Sequence, residues 1–527
     1  MDIKAHIYMA LLTVMLNICK GEKILLFPFS QIFNSRTMNI EKIAILLRDN
    51  NHSVSMLVSD HYQPSRNIDG VHLIRYKMPE VWINQGGELD LTTALSYIDQ
   101  PAIPLLRDTD IMEFTLCDAL FGDQTLIQSL KQENFSLYFF DFVNYGPGIF
   151  LNEYLQVPSI VYSNYGFWNS WWVFHQPVFY SYMPFPLGGL SDHMTLWERI
   201  QNMYDHWEGT KWMNDKIEAL ERKRWEYFPN ENWPHMRHAF ERVSLVIAAN
   251  VHFAFNYPCP VMPHVKPIPG LLWTPPQPLP QYFSDLVSWA DHGIVLMSFG
   301  TLVPTMLEEK AELFARVFAK LPQKVLWRYK GTPPKSLGRN THLVEWFPQN
   351  DLLAHPATRL FISHCGVSST WETLYHAVPV VAIPLLFDQH HHARTLTDRA
   401  GVGVRLAFSS LTEDILETTI HSVLESKVFK ENAVKLSELL KDTPMSGQDE
   451  LLYWINYVIR HNGSDHFHSQ AAYRLNWVQY FLLDVGVVMA VLAFSGILTV
   501  VLMAVFVYKL SKKVLRPLLF RRKLKTA

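Results

Sequence analysis

Residues 346–389 read WFPQNDLLAHPATRLFISHCGVSSTWETLYHAVPVVAIPLLFDQ, and this stretch is the most informative part of the sequence about the fold. Two short apolar runs, 360–362 and 380–383, alternate with stretches of helical character, the first of them over 351–354. Apolar runs of this length between Pro, Gly and polar residues are typical of buried strands, and their alternation with helices is typical of a parallel sheet. We therefore predict two consecutive αβ units.

The second helix of this stretch is predicted to begin just after Ser363-His364-Cys365-Gly366. We expect Ser368 or Ser369 to cap it, because hydroxyl side chains accept hydrogen bonds from the N–H groups of a first turn. A helix N-terminus also carries the positive end of the helix dipole, so it suits a diphosphate. Gly366 lets the backbone approach a ligand closely, and His364 and the two serines can donate to phosphate oxygens.

Side chains on both sides of this helix suit the rest of a nucleotide sugar. Glu372, one turn into the helix, can accept hydrogen bonds from a ribose diol, and Trp346 offers a stacking face for a planar base. Asp388 and Gln389 offer acceptors and donors to sugar hydroxyls. Each residue alone also fits an ordinary α/β crossover with polar loops. The ordered set W-x-P-Q, S-H-x-G, S-x-x-E and D-Q favours a nucleotide-sugar site.

This ordered set resembles the nucleotide-sugar signature of the UDP-glycosyltransferases. In that family the Trp stacks on uracil, the His and the following small polar residues hold the diphosphate, the Glu binds the ribose and the Asp-Gln pair binds the donor sugar. The resemblance assigns UDP-sugar binding to Trp346, Gln349, His364, Gly366, Ser368, Ser369, Glu372, Asp388 and Gln389. It extends to Thr301 and Arg328, at the ends of two earlier apolar strands, which line the diphosphate and uridine in the family.

The resemblance covers nearly the whole chain and is nearest to the ceramide galactosyltransferase branch among vertebrate-type members. It implies an α/β fold with two Rossmann-like, doubly wound lobes (GT-B type) and a cleft between them. Three positions depart from the family: Cys365 replaces the usual Gly, Ser368 the usual Asn and His392 the usual Asn. Consecutive residues such as His390–His392 cannot converge on one ion, so we predict no metal site. We expect no cofactor beyond the UDP-sugar, which is the donor substrate.

Composition and patterning divide the chain into segments. They are a signal peptide (1–21), an N-terminal acceptor-binding lobe (22–257), a proline-rich linker (258–280), a C-terminal UDP-sugar-binding lobe (281–455), a return segment (456–484), a transmembrane helix (485–508) and a basic cytosolic tail (509–527). We expect the linker to form neither strand nor helix, because proline lacks the N–H that both need.

Both ends of the chain indicate a secretory membrane protein. Residues 485–508 carry no charge and are long enough to span a bilayer core, and the tail behind them has basic residues and no acid. The positive-inside rule therefore places the tail in the cytosol and both lobes in the lumen. Lys523 and Lys525 look like a dilysine retrieval signal for the endoplasmic reticulum, so we predict a single-pass type I protein of that membrane. Glycosylation sequons at Asn51, Asn134 and Asn462 agree with a lumenal position.

Charge and aromatic content indicate the partners. The formal net charge of −3 gives no indication of nucleic-acid binding. One cluster of aromatic residues consists of Trp168, Trp171, Trp172 and Phe174. These side chains would suit an apolar acceptor cleft, and the alternative is that they pack in the core. The expected partners are a UDP-sugar, a small lipophilic acceptor and membrane lipid. Homo-oligomerisation remains open.

The sequence departs from the family at the catalytic base. The family places a Ser-His pair in the loop after the first strand, here 23–27, and an Asp at the end of a later strand orients that His as the base. Aligning the next helix, predicted over 40–49, puts Ser35-Arg36 at the pair, while Asp141 matches the Asp. Arginine cannot act as a base, because its pKa exceeds about 12. We expect Arg36 and Asp141 to form an ion pair within about 4 Å.

Three interpretations of Arg36 remain open. The acceptor can be one that needs little deprotonation, such as an amine, a carboxylate, a thiol or an acidic phenol. Alternatively, Asp141 or a water molecule takes the proton slowly, since His52 lies past the helix and too far away. The third interpretation is a membrane protein that binds UDP-sugars without turnover. The sequence leaves the donor sugar open.

Overall fold

The computed structural model describes residues 21–29, 34–79, 98, 102–164, 175–301 and 303–523. Within these residues two parallel sheets carry helices on both faces. Most of the predicted signal peptide (1–20) and the aromatic cluster 168–174 lie outside the described residues.

The first sheet has seven strands in the order β3-β2-β1-β4-β5-β6-β7. Its strands are β1 (Lys23–Phe27), β2 (Ser53–Ser59), β3 (His72–Tyr76), β4 (Leu137–Asp141), β5 (Ser159–Ser163), β6 (Leu245–Ala249) and β7 (Val265–Ile268). The second sheet has six strands in the order β10-β9-β8-β11-β12-β13. Its strands are β8 (Ile294–Ser298), β9 (Lys324–Arg328), β10 (Thr341–Val344), β11 (Thr358–Ser363), β12 (Val380–Ala382) and β13 (Gly403–Arg405).

Both sheets reverse their strand order at one point, between β1 and β4 in the first and between β8 and β11 in the second. In open α/β sheets, ligands bind outside the carboxyl ends of the strands at such a switch point. The fold therefore points to the loops that follow these four strands.

Helices cover both faces of each sheet. In the N-terminal lobe they are α1 (Asn34–Asp49), α2 (Ala102–Phe121), α3 (Gln124–Gln132), α4 (Tyr145–Leu155) and α5 (Leu196–Tyr227). The following helices are α6 (Gln281–Ser288), α7 (Glu308–Ala319), α8 (Gln349–Ala354), α9 (Val367–Tyr375), α10 (Gln389–Arg394), α11 (Glu413–Glu425), α12 (Lys427–Lys441) and α13 (Gly447–His461). The C-terminal segment contains α14 (Gln470–Tyr473), α15 (Trp477–Tyr480) and α16 (Leu483–Lys523).

The central strands are buried on both faces, which explains their continuous apolar sequences. In β1, Leu25 and Phe27 pack into one core cluster, while Ile24 and Leu26 pack into the cluster on the opposite face. Burying such a side chain is worth about 1.5–3 kcal/mol. The strands that carry the site are therefore held rigidly from both sides.

Two predicted boundaries in the N-terminal lobe need correction. Helix α1 begins at Asn34, not at residue 40, because the six residues before Ile40 contain no proline or glycine to prevent helix formation. The proline-rich segment 258–280 contains strand β7, although no strand was expected there. Pro267 is compatible with β7 because this strand lies at the edge of the sheet and pairs only with β6.

Helix α13 differs from the predicted boundary at residue 455, which falls in its middle. Its residues Leu451, Ile455 and Val458 belong to a buried cluster formed mainly by the first sheet and α1. The chain thus returns from the second sheet to pack on the first from residue 447 onward. Apolar spacing at i, i+4 and i+7 explains this packing.

The residues up to Phe467 and those from His468 onward form separate compact units. The second unit contains α16, in which Leu483–Lys513 meets the length and composition of a membrane span and includes an 18-residue stretch with a mean hydropathy of 2.7. The predicted span 485–508 lies within this helix. The chain therefore has a C-terminal helix suited to anchoring it in a membrane.

Candidate active site

One cavity of about 530 Å³ brings most of the predicted residues together. Its walls include Thr301, Arg328, Trp346, Gln349, His364, Gly366, Ser368, Ser369 and Glu372. They lie at the carboxyl end of β9 and in the loops and helices that follow β8, β10 and β11, at the carboxyl edge of the second sheet. Helix α1 of the N-terminal lobe contributes Met38, Asn39 and Lys42 to the same walls, so the cavity lies between the two lobes. Its volume is within the range of small-molecule sites, about 300–1,000 Å³.

His364 lies between two glycines at the switch point of the second sheet. A Cβ atom on Gly300 would lie 2.4 Å from His364 Nε2, and one on Gly366 would lie 2.5 Å from the same atom. Both glycines are therefore required by the close approach of the imidazole. Burial lowers the pKa of His364 to about 4, so the ring is neutral at pH 7. Among the described residues its buried Nδ1 has no hydrogen-bond partner.

Helix α9 begins with Gly366 as its N-cap, which corrects the expectation that a serine caps it. Ser368 and Ser369 lie inside the first turn, and among the described residues no side chain caps this N-terminus. Its N–H groups therefore keep the hydrogen-bonding capacity and positive dipole that bind a diphosphate. Cys365, in the position where the family has Gly, has φ of 63° and a fully buried side chain. That left-handed conformation explains why Gly suits this position.

Gln349 organises the predicted ribose-binding acid. Its Nε2 donates to Glu372 Oε2 at 2.6 Å and to Ser369 Oγ at 3.0 Å. Burial raises the pKa of Glu372, while the hydrogen bond from Gln349 and the charge of Lys42 oppose that rise. Gln349 thus fixes the orientation of Glu372 from within the cavity wall.

Trp346 is 56% exposed, as a stacking platform for a base requires. The guanidinium of Arg328 lies over its ring, with Cζ 4.6 Å from the ring centroid. The two residues form a layered pair at the cavity wall, and the arginine brings positive charge beside the aromatic face.

Asp388 and Gln389 lie at the start of α10, but they are not among the described residues that line the cavity. Gln389 Oε1 accepts from the N–H groups of Leu385 and Leu386 at 2.9 Å each, so this oxygen holds the turn after β12. Only the amide nitrogen of Gln389 can therefore serve a sugar. Burial works against the ionised form of Asp388, yet His392 and the nearby Arg36 lower the pKa of that carboxyl overall. His392 Nε2 lies 3.2 Å from Asp388 Oδ2.

The predicted ion pair of Arg36 and Asp141 is confirmed. Arg36 Nε donates to Asp141 Oδ2 at 3.0 Å, and Nη2 donates to Oδ1. Asp141 Oδ1 also accepts from the N–H of Val143 at 2.9 Å. Arg36 is 3% exposed and Asp141 is fully buried, at the switch point between β1 and β4. His52 accepts from the N–H of Glu22, before β1 and at the opposite end of the sheet from this pair.

Sequence reasoning missed several residues of the cavity wall, among them Lys42, Trp273 and Tyr375. Lys42 Nζ donates to the carbonyl of Leu272 at 2.7 Å, and burial lowers the pKa of this lysine, although the charge of Glu372 opposes the shift. Trp273 and Tyr375 stack with ring centroids 4.1 Å apart. A faint signal for Lys42 exists, because it follows Met38 by one helical turn on the same face of α1. Trp273 lay in the segment predicted to be only a linker.

Comparisons with known proteins agree with this geometry. The family model described as "UDP-glucoronosyl and UDP-glucosyl transferase" matches residues 23–517. A 2-hydroxyacylsphingosine 1-beta-galactosyltransferase of Rattus norvegicus is 33% identical over 513 residues, which cover 95% of this chain and 92% of that protein. UDP-glucuronosyltransferase 2B30 of Macaca fascicularis is 35% identical over 383 residues, 70% of each chain.

Solved structures share the fold at lower identity. A UDP-glucosyltransferase from Polygonum tinctorium has a TM-score of 0.56 and 17% identity, covering 84% of this chain and 99% of that one. A UDP-glucose: anthocyanidin 3-O-glucosyltransferase solved with UDP has a TM-score of 0.57 and 16% identity, covering 84% and 100%. These structures have the GT-B fold, which the two parallel sheets described above reproduce. The chain is therefore a member of the UDP-glycosyltransferase family.

Proposed function

We propose that this protein transfers a sugar from a UDP-sugar to a small lipophilic acceptor, with inversion at the anomeric carbon. The observation that carries the proposal is that one cavity is lined by the uncapped N-terminus of α9, by Glu372 and by the Arg328–Trp346 pair. This arrangement supplies donors for a diphosphate, an acceptor for a ribose and a stacking face for a base within one cavity.

In the proposed reaction, an acceptor atom attacks the anomeric carbon while the bond from that carbon to the β-phosphate oxygen breaks. UDP leaves with the bonding electron pair, and an acceptor that carries a proton passes it to water. Neutral His364 and the N–H groups of α9 can donate to the departing diphosphate, which stabilises the charge that develops there. Asp388 and the amide of Gln389 are proposed to hold the sugar. The reaction needs no further cofactor, because UDP itself activates the sugar.

Arg36 determines which classes of acceptor we propose for the site. Both oxygens of Asp141 are engaged by the guanidinium, so the described residues place no prepared base at the position where the family has a histidine. Acceptors that need little deprotonation, such as amines, carboxylates and acidic phenols, therefore fit the site better than aliphatic alcohols.

A donor and acceptor screen tests the proposal. The purified full chain is incubated with UDP-glucuronate, UDP-glucose, UDP-galactose or UDP-N-acetylglucosamine and with an amine, a carboxylate, a phenol or an aliphatic alcohol. Acceptor-dependent release of UDP that is lost in Glu372→Ala supports the proposal. Binding of UDP without release from any donor would instead favour a UDP-sugar-binding protein without turnover.

We also propose that the protein lies in the endoplasmic reticulum membrane with both lobes in the lumen. The apolar helix α16 and the exposed positions of Asn51, Asn134 and Asn462 support this orientation. Protease added to sealed microsomes should remove only about the last twenty residues. Replacing Lys523 and Lys525 by Ser should release the protein to the Golgi, and an unchanged location would exclude retrieval by these lysines.

A further inference from the structure

Helix α5 presents an apolar face to solvent over its first three turns. Six large side chains there are exposed: Leu196, Trp197, Ile200, Met203, Tyr204 and Trp207. Trp197 is 76% and Trp207 56% exposed. At 100° per residue these six positions fall within one side of the helix, over about 17 Å of its length. We call these six residues the aromatic face.

The opposite side of α5 fixes this orientation. Asn202 is fully buried, and its Nδ2 donates to the carbonyls of Tyr180 and Met183 at 2.8 Å each. Asn202 Oδ1 accepts from the N–H of Phe185 at 2.8 Å. Breaking this network would leave buried polar groups unpaired, so the helix cannot turn its apolar side inward. The hydrogen bonds of Asn202 therefore keep the aromatic face exposed in the folded lobe.

The composition of the aromatic face matches a bilayer interface. Trp and Tyr concentrate at the level of lipid headgroups, where an apolar ring and a polar N–H or O–H are both accommodated. Lys211 lies one turn beyond Trp207, with Nζ 5.5 Å from its ring centroid, which is where a cation would meet a lipid phosphate. A contiguous apolar patch of this kind on a soluble surface marks an interaction site.

The chain itself keeps the first compact unit within reach of lipid. Fifteen residues, 468–482, separate the end of the first compact unit from the apolar helix α16. Even fully extended, they span at most about 50 Å, at roughly 3.5 Å per residue. Once α16 is in a bilayer, the first unit is tethered to that bilayer at a high effective concentration.

We propose that the aromatic face of α5 lies in the headgroup region of the bilayer that α16 spans. This assigns a second membrane contact, independent of the spanning helix, to the N-terminal lobe. The occupant is a lipid surface, because the patch combines interfacial Trp and Tyr with a flanking lysine on a protein that is anchored beside lipid.

The aromatic face begins close in sequence to residues that contact α10, and what this means for acceptor entry rests on the proposed function. Arg394 of α10 donates to the carbonyl of Gly189, and Arg399 lies 3.6 Å from Asp192, just before α5 begins. Helix α10 starts at the Asp388–Gln389 pair. The segment just before the aromatic face is thus in contact with the element that begins at the proposed sugar-binding pair, and we expect a lipophilic acceptor to enter the site from this side.

Spin-label accessibility in the full chain tests the proposal without requiring turnover. Cys19 and Cys259 are replaced by Ser, and Cys117 and Cys365 are buried and stay unlabelled. A nitroxide is then attached to Met203→Cys on the aromatic face or, as a matched control, to Lys435→Cys on the exposed side of α12. The protein is reconstituted in phosphatidylcholine vesicles, and collisions with oxygen and with a water-soluble nickel chelate are compared.

We expect the label at position 203 to collide several-fold more with oxygen and several-fold less with nickel than the label at 435. Equal nickel accessibility at both positions would overturn the proposal. Shielding of position 203 that persists in detergent and weakens on dilution of the protein would also overturn it, because a second copy of the chain would then cover the face. The depth measurement is independent of activity, so absence of turnover with correct depth would count against the proposed function alone.

Discussion

At the scale of single residues, Arg36 and Asp141 are proposed to determine which acceptors the protein can use. Their ion pair is buried and bidentate, and it lies where the family resemblance places a base and the acid that orients it. Breaking such a pair by removing one partner typically costs about 3–5 kcal/mol, because the other charge is left buried without compensation. The pair is therefore a fixed part of the site rather than a surface contact.

Replacing Arg36 by His should raise transfer to aliphatic alcohols. The imidazole would meet the Asp141 carboxylate and gain an orienting partner, as the family arrangement requires. A positioned general base contributes about 10²–10⁴-fold, so initial rates with an alcohol acceptor should rise within that range. Arg36→Lys, which keeps the charge and supplies no base at pH 7, is the control and should show no gain.

The opposite result would overturn this account of the acceptor side. If the wild-type protein already glycosylates aliphatic alcohols rapidly and Arg36→His slows the reaction, Arg36 does not occupy the base position. Slower transfer to amines and carboxylates as well would indicate that the substitution damaged the fold, which thermal unfolding of the variant would show.

The sequence predicted the contact of Arg36 with Asp141 because the family resemblance places both positions at one site. Asp141 ends β4, and Arg36 lies in the first turn of α1, which follows the neighbouring strand β1, so both lie at the carboxyl edge of the first sheet. The contacts of Gln349 with Glu372 and Ser369 could not be predicted, because they depend on how two loops pack. Lys42 was missed for a related reason: it reaches the cavity only because α1 of one lobe faces the other lobe.

At the scale of elements, the N-terminus of α9 carries the proposed diphosphate site. Its nine residues follow directly on the loop that packs His364 between Gly300 and Gly366. The helix supplies N–H groups and the loop supplies the imidazole, so the site depends on the close packing of both.

Gly366→Ala should weaken UDP binding by tenfold or more while the protein stays folded. The added Cβ would lie 2.5 Å from His364 Nε2, and the imidazole would have to move. Gly189→Ala is a matched control, since a Cβ there meets nothing within 4 Å. Calorimetric titration with UDP measures both variants, and equal affinities for them would contradict the packing role assigned to Gly366.

Elements were predicted better than their ends. Apolar runs predicted β1, β4, β8, β9, β11 and β12, because strands buried on both faces leave a clear signal. The start of α1 was predicted six residues late, and a serine cap was expected where Gly366 begins α9, because helix ends depend on local backbone geometry more than on composition. Strand β7 was missed because an edge position relaxes the usual exclusion of proline.

At the scale of the whole molecule, buried histidines link stability to pH. Burial lowers the pKa of His206, His364 and His376 to about 4, from the ordinary value of 6.5. Between pH 6.5 and 4 these rings stay neutral in the folded protein and protonate in the unfolded chain. The unfolded state then binds more protons, so the free energy of unfolding should fall as pH falls through this window.

Urea unfolding of the full chain at several pH values between 7 and 4 measures this loss. Each fully shifted histidine contributes at most about 1.4 kcal/mol per pH unit. His206→Gln, which removes a titrating ring outside the proposed donor site, should lose less stability over the same window than the wild type. Parallel pH profiles for the two proteins would exclude His206 as a contributor.

The two-lobe architecture and the membrane helix followed from periodicity and charge, whereas the return of α13 to the first lobe did not. The apolar stripe of α13 predicts that this helix packs on a sheet, but the local sequence does not indicate which of the two sheets it packs on. The N-terminal wall of the cavity could not be predicted for the same reason, because it depends on how the two lobes pack against each other.

The cavity at the carboxyl edge of the second sheet is proposed to bind the UDP part of a sugar nucleotide. Thermal unfolding of the purified full chain with and without millimolar UDP tests it most directly, because a ligand that binds the folded state raises the unfolding temperature. We predict a rise for the wild type and for the exposed control Glu438→Ala, and none for Glu372→Ala. No rise in the wild type at millimolar UDP would contradict the claim.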